Sequence, residues 1–166
     1  MRVSRIIATV GGVGLLRPAP GTWGSAAAVP LGYVLHGLGG FALLLFATVA
    51  VFGAGYWAAL AEERATGAHD ASEIVIDEVV GIWIALMPLS VGLTHAGADP
   101  WVFPWPGWVG AFVLFRLFDI WKPGPVGWAD RKPGAFGVML DDVIAGIFAA
   151  VGVAAAAAIA HGGLGL

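Results

Sequence analysis

The stretch Glu73-Ile-Val-Ile-Asp77-Glu78-Val-Val-Gly81-Ile-Trp-Ile-Ala-Leu-Met-Pro88-Leu-Ser-Val-Gly-Leu-Thr-His95 decides how this chain folds. Beyond Glu78 no Asp, Glu, Lys or Arg follows as far as His95. A helix that crosses the hydrocarbon needs about 20 apolar residues, and residues 74–95 supply them. Carboxylates beside such a run are costly, at about 2.5–3.5 kcal/mol each at a helix centre on insertion scales. Two other apolar runs carry the same burden: Asp119 closes one, and Asp141-Asp142 opens the other. Acids at three separate helix ends predict convergence on something that neutralises them, and a divalent cation fits best.

Composition sets the class. Of 166 residues, 59% are hydrophobic and 11% charged, and the mean hydropathy is +0.88. A soluble domain carries about 25% charged residues, so this chain has too few to cover a water-facing surface. The expectation is an all-α, polytopic transmembrane helical bundle, with residues 1–166 forming one membrane-embedded domain. A net charge of -3 with only 8 Lys and Arg argues against a nucleic-acid partner. The absence of cysteine excludes disulfides, thiolate metal sites and a cysteine-phosphatase mechanism. No small-residue cleavage site follows a short N-terminal apolar core, so no removable signal peptide is expected.

Apolar runs at residues 43–61, 74–95, 108–121 and 140–160 read as spans, with Pro88 a site for a kink in the second. Residues 23–38, interrupted by Pro30, form either a full span or half of a re-entrant hairpin. Gly37, Gly39 and Gly40 would turn that stretch into the next. Four to five membrane segments result. Lys and Arg favour cytoplasmic loops, so Arg2, Arg5 and Arg17 place the N-terminus inside, and Lys122, Arg131 and Lys132 do the same for residues 122–139. Residues 96–107 lack Lys and Arg and read as external, with Trp101, Trp105 and Trp108 as an interfacial belt. This topology gathers Glu73, Asp77, Glu78, Asp119, Asp130, Asp141 and Asp142 at the cytoplasmic face.

Four segments carry chemistry. In Arg17-Pro-Ala-Pro-Gly21-Thr22-Trp-Gly-Ser25, Thr22 and Ser25 offer hydroxyls at a helix start, where an anion can bind; a simple Ser/Thr cap is the plain alternative. Glu73 and Asp77, four apart, would share a helix face, and Gly81 would admit a neighbouring helix. In Arg116-Leu-Phe-Asp119-Ile-Trp-Lys122, three charges recur at three-residue spacing on one stripe. They read as a cation ligand between two phosphate-binding cations, or as an ion pair with a snorkelling lysine. In the fourth, Asp130 and a glycine-containing loop lead to Asp141 and Asp142, one a direct ligand and the other a cap or water-mediated. Asp141-Asp142-Val-Ile-Ala-Gly146 echoes Asp77-Glu78-Val-Val-Gly81, too briefly to be a repeat. Among the histidines only His69, just before the acidic helix, could assist proton transfer; an ordinary loop histidine is the plainer alternative.

Oxygen ligands with little His and no Cys suit Mg²⁺, Mn²⁺ or Ca²⁺ rather than Zn²⁺. A bare carboxylate cluster repels phosphate, and a bridging metal reverses that sign. Arg116 and Lys122 could hold the remaining phosphate oxygens. A phospholipid monoester presents its phosphate at the right level, and metal-activated water is the expected nucleophile.

The motifs Pro-Ala-Pro-Gly-Thr-Trp-Gly-Ser (18–25), Glu-Ile-Val-Ile-Asp-Glu-Val-Val-Gly (73–81), Phe-Arg-Leu-Phe-Asp-Ile-Trp-Lys-Pro (115–123) and Phe-Gly-Val-Met-Leu-Asp-Asp (136–142) resemble those of bacterial phosphatidylglycerophosphatase A. The resemblance runs from about residue 12 to 146. It implies a Mg²⁺-dependent, multi-pass enzyme of the bacterial inner membrane that converts phosphatidylglycerophosphate to phosphatidylglycerol and phosphate. It implies that Asp77, Glu78, Asp119, Asp130, Asp141 and Asp142 are catalytic, all but Asp130 as metal ligands. Thr22, Ser25, Arg116 and Lys122 would bind the substrate phosphate, and Glu73 would stand aside. Three alternatives stay open: a phosphatase for another lipid phosphate such as a polyprenyl one, a cation channel or transporter, and a non-catalytic scaffold with the acids as caps.

Overall fold

The computed structural model describes residues 2–67 and 72–163, and among these the regular structure is entirely helical. His69 lies outside the described residues. In chain order the helices are α1 (Val3–Ala8), α2 (Pro20–Thr66), α3 (Ile76–His95), α4 (Trp105–Trp121), α5 (Pro125–Asp130) and α6 (Gly134–Gly163), with a 3₁₀ turn at Val13–Leu15. Three of them, α2, α3 and α6, are long and apolar enough to cross a membrane.

α3 is the axis of the molecule. Half of its 20 residues are buried, and it packs chiefly against α2 and α6. The outward faces of the surrounding helices carry Phe46, Val49, Val113 and Val151, each more than half exposed. Apolar groups on the outside and a filled centre are what a lipid-facing bundle requires.

α2 is not one straight rod. Its helical geometry breaks at Gly39 and Gly40, and Gly40 takes φ 60°, ψ -153°, a region open essentially to glycine alone. The first limb begins with Gly21 against Glu78 at the start of α3 and ends with Gly40 against Thr94. Along the way His36 Nδ1 lies 2.8 Å from Ser90 Oγ, and Trp83 Nε1 donates to the Ala28 carbonyl at 2.9 Å. The second limb starts with the Phe41 N–H donating to Thr94 Oγ1 at 3.2 Å and returns until Gly55 faces Ile76. Residues 23–38 therefore run the whole length of α3 rather than half of it. The helix passes through Pro30, and α3 passes through Pro88.

Several boundaries differ from the sequence expectation. α3 starts at Ile76, after Val75, which is not helical (φ -138°, ψ 14°) and whose N–H donates to the Ala8 carbonyl at 2.9 Å. Glu73 thus lies outside the helix and shares no face with Asp77. α6 starts at Gly134, so Asp141 and Asp142 sit two turns inside it rather than at its entry. Trp108 is not interfacial. It is fully buried, edge-on to Tyr33 at 5.4 Å and stacked on Phe103 at 5.5 Å, whereas Trp101 and Trp105 are exposed. α4 begins three residues earlier than its apolar run.

α3 and α6 meet backbone to backbone. A Cβ on Gly146 would stand 2.5 Å from the Gly81 carbonyl oxygen and 3.1 Å from its Cα. A Cβ on Gly81 would stand 2.8 Å from the Asp142 carbonyl and strike the Phe115 ring. Small residues at such a crossing allow the approach on which membrane-helix packing rests. The two echoing segments therefore face one another in space. Gly146→Val should separate the helices and destabilise the fold by about 1–3 kcal/mol or more. Unfolding in mixed detergent micelles checks this, and Gly152→Val, facing only the flexible tip of Leu114, should cost distinctly less.

Candidate active site

Beside the Gly81–Gly146 crossing a cleft of about 460 Å³ opens. Six carboxylates line it, Asp77, Glu78, Asp119, Asp130, Asp141 and Asp142, with three cations, Arg116, Lys122 and Lys132. Fully ionised, the cleft holds an excess of three negative charges. Four helices supply the acids: the first turn of α3, the last turn of α4, the end of α5 and the third turn of α6. All six acids expected from the sequence are thus brought together.

The acids form two groups with one member in common. Carboxylate oxygens of Asp77, Glu78 and Asp142 lie within 4.8 Å of one another, and so do those of Asp119, Asp141 and Asp142. Asp77, Asp141 and Asp142 are each over nine-tenths buried. Asp77 Oδ1 accepts the Glu78 N–H at 3.0 Å, and Asp141 Oδ1 accepts the Asp142 N–H at 3.0 Å. Glu78 Oε2 and Asp142 Oδ2 are buried with no hydrogen-bond partner. A carboxylate oxygen left so costs several kcal/mol, and a hard cation among oxygen donors removes that cost. The donor set fits Mg²⁺, Mn²⁺ or Ca²⁺.

The cations are fixed differently. Arg116 Nη1 donates to Asp119 Oδ2 at 2.5 Å and lies 3.5 Å from Ser25 Oγ, while Arg116 Nε has no partner. Ser25 is buried and donates to the Gly21 carbonyl at 2.8 Å, so it braces Arg116 and does not line the cleft. Thr22 is half-buried in the first turn of α2 and is also absent from the lining. Lys122 does not continue the stripe of Arg116 and Asp119. It caps α4 in the left-handed conformation, φ 50° and ψ 54°, which is uncommon for a residue with a side chain. That turn aims its Nζ at Asp130 and, at 2.8 Å, at Asp141 Oδ2. Burial opposes its charge, but the Asp130 and Asp141 carboxylates outweigh burial and raise its pKa above the ordinary lysine range.

Gly21 and Lys132 are among the lining residues that the sequence does not mark as site residues. Gly21 abuts Glu78 so closely that a Cβ there would clash with Oε1; its signal was the Pro-Gly pair at a helix start. Lys132 lines the cleft with Nζ 4.3 Å from the centre of the Trp128 ring; in the sequence its charge bears on topology alone. Glu73 falls outside the cleft and pairs with Arg5 at 2.6 Å.

Membrane-length apolar helices around a cleft lined by buried carboxylates and by cationic side chains fit a class: a membrane-associated enzyme acting on an anionic group. Comparison with known proteins narrows this. Residues 6–157 match the family model described as phosphatidylglycerophosphatase A. A phosphatidylglycerophosphatase A of Haemophilus influenzae is 39% identical over 141 residues, covering 84% of this chain and 80% of its own. That of Escherichia coli K12 is 38% identical over 143 residues, covering 84% and 74%. A Bacteroides thetaiotaomicron protein provisionally named a phosphatidylinositol-3-phosphatase is 38% identical over 157 residues, 91% of each chain. No solved structure matches the chain. The chain belongs to the phosphatidylglycerophosphatase A family, and with it to the phosphatases of phosphate monoesters.

The half-exposed Arg5–Glu73 pair is separate from the cleft, and such pairs contribute about 0–1 kcal/mol. Glu73→Gln should leave phosphatase activity close to wild type and stability within about 1 kcal/mol. Parallel turnover and unfolding measurements on the variant check both.

Proposed function

We propose that this chain hydrolyses the phosphate monoester of phosphatidylglycerophosphate, giving phosphatidylglycerol and inorganic phosphate, and that Mg²⁺ serves it as cofactor. The observation that carries this reading is the pair of partnerless buried oxygens, Glu78 Oε2 and Asp142 Oδ2, in a cleft with three excess negative charges. Family membership supports the substrate.

Asp77, Glu78, Asp119, Asp141 and Asp142 would hold the cation, with Asp142 common to both carboxylate groups. When bound, the cation offsets the carboxylate charge against phosphate and acidifies water. The chain's own residues do the rest. Arg116, held by Asp119 and braced by Ser25, offers guanidinium donors to phosphate oxygens. Lys122, paired with Asp130 and Asp141, contributes positive charge. Water adds to phosphorus as the bond to the glycerol oxygen breaks, and a carboxylate of the cluster takes a proton of the water and returns it to the departing glycerol oxygen, so that the alcohol and inorganic phosphate leave.

The topology goes with this reading. The two limbs of α2 together with α3, α4 and α6 make five membrane segments. The site end of the bundle, which carries Arg5, Lys122, Arg131 and Lys132, faces the cytoplasm by the excess of basic residues. The membrane is the bacterial inner membrane, the partner is a membrane phospholipid, and no nucleic acid is bound. A second reading, a phosphoinositide phosphatase, is favoured by the Bacteroides relative aligned over 91% of both chains. The two lipids share a phosphodiester and a separate headgroup monoester.

Purified protein in detergent micelles should release phosphate from phosphatidylglycerophosphate with Mg²⁺ and stop in EDTA. Asp77→Asn and Asp142→Asn should each lower turnover by more than about a hundredfold while inserting normally. Wild-type activity in EDTA would remove the cation from the account, and faster release from phosphatidylinositol 3-phosphate would favour the second reading.

A further inference from the structure

Three cations line the cleft, and two of them are committed. Arg116 is bound to Asp119, and Lys122 to Asp130 and Asp141. Lys132 has no carboxylate partner among the described residues. It is nonetheless held in place: its N–H donates to the Ala129 carbonyl at 2.8 Å, its own carbonyl packs against Gly137 where any Cβ would clash, and its ammonium sits over Trp128. Trp128 is half exposed, and an exposed tryptophan beside a membrane bundle suits the headgroup level. An ammonium set over an aromatic ring beside the cleft, with no carboxylate partner among the described residues, is available to an anion that arrives with the substrate.

The substrate proposed above carries two phosphates. The monoester is drawn to the carboxylate centre with its cation, Arg116 and Lys122. The diester stays attached to the glycerol backbone of the lipid and needs a positive charge of its own. We propose that Lys132 binds this phosphodiester and so selects lipids bearing a diester in addition to the monoester that is cleaved. The proposal rests on the phosphatase reading and adds the recognition of a second anionic group.

The test separates the two phosphates by product inhibition of the purified full chain acting on phosphatidylglycerophosphate with Mg²⁺. Dihexanoyl phosphatidylglycerol, below its micellar concentration, carries only the diester; inorganic phosphate stands for the monoester. Lys132→Gln, which keeps a stem on Trp128, should raise KM and weaken inhibition by the short-chain lipid, each by about tenfold. Its kcat and its inhibition by inorganic phosphate should stay near wild type, and Lys132→Arg should restore most of the lost affinity. Weakened inhibition by inorganic phosphate, or a fall in kcat at constant KM, would put Lys132 on the reacting phosphate and overturn the proposal. An unchanged KM with unchanged lipid inhibition would overturn it too. Lack of phosphate release by the wild type would overturn the phosphatase reading and this proposal together, whereas an active wild type with an insensitive Lys132→Gln overturns this proposal alone.

Discussion

Everything in this molecule turns on the contact between Gly81 and Gly146. Two helices meet there with no side chain between them, and that approach sets Asp77 and Glu78 of α3 against Asp142 of α6. Like charges in a half-dry cleft repel, and burial makes the repulsion worse. The packing that stabilises the bundle thus brings together acidic groups that repel one another when ionised. On the proposed reading, the glycine crossing and a bound cation meet one constraint from two sides.

The same cleft shows how few positive charges can be used economically. Arg116 and Lys122 each answer to an acid and each face the cleft. Their ion pairs restrict them to one orientation, in keeping with the preorganisation that phosphoryl chemistry demands. Asp119 and Asp141 thereby do double duty, since each both holds a cationic side chain and belongs to the carboxylate group around Asp142. The end of the bundle away from the cleft has neutral side-chain contacts in its interior. There His36 meets Ser90, and Tyr33 donates to the Trp101 carbonyl.

Much of this was legible in the sequence, for physical reasons. Apolar runs of membrane length give helices, since no other open structure satisfies its backbone in lipid. The cost of acids beside those runs announced the site, and Gly39-Gly40 announced the turn between the limbs of α2. The failures share a cause. Periodicity fixes which face a residue occupies only if the helix extends that far. Glu73 was assigned to the face of Asp77, but the helix starts at Ile76. Lys122 was placed on the stripe of Arg116, but the helix ends one residue earlier and a left-handed cap turns the side chain toward Asp130 and Asp141. Trp108 read as interfacial because its neighbours are tryptophans, and only the tertiary packing of Tyr33 and Phe103 takes it inside. Ser25 and Thr22, grouped by sequence, differ in the fold, since only Ser25 reaches Arg116.

The central claim is that the carboxylates gathered around Asp142 are a divalent-cation site. Electron paramagnetic resonance of Mn²⁺ titrated with purified protein in detergent micelles tests it without recourse to turnover. The six-line signal of free Mn²⁺ should fall as wild-type protein is added, should recover when Mg²⁺ competes, and should be nearly untouched by Asp142→Asn. Equal depletion of the signal by wild type and Asp142→Asn, or none by either, would contradict the account.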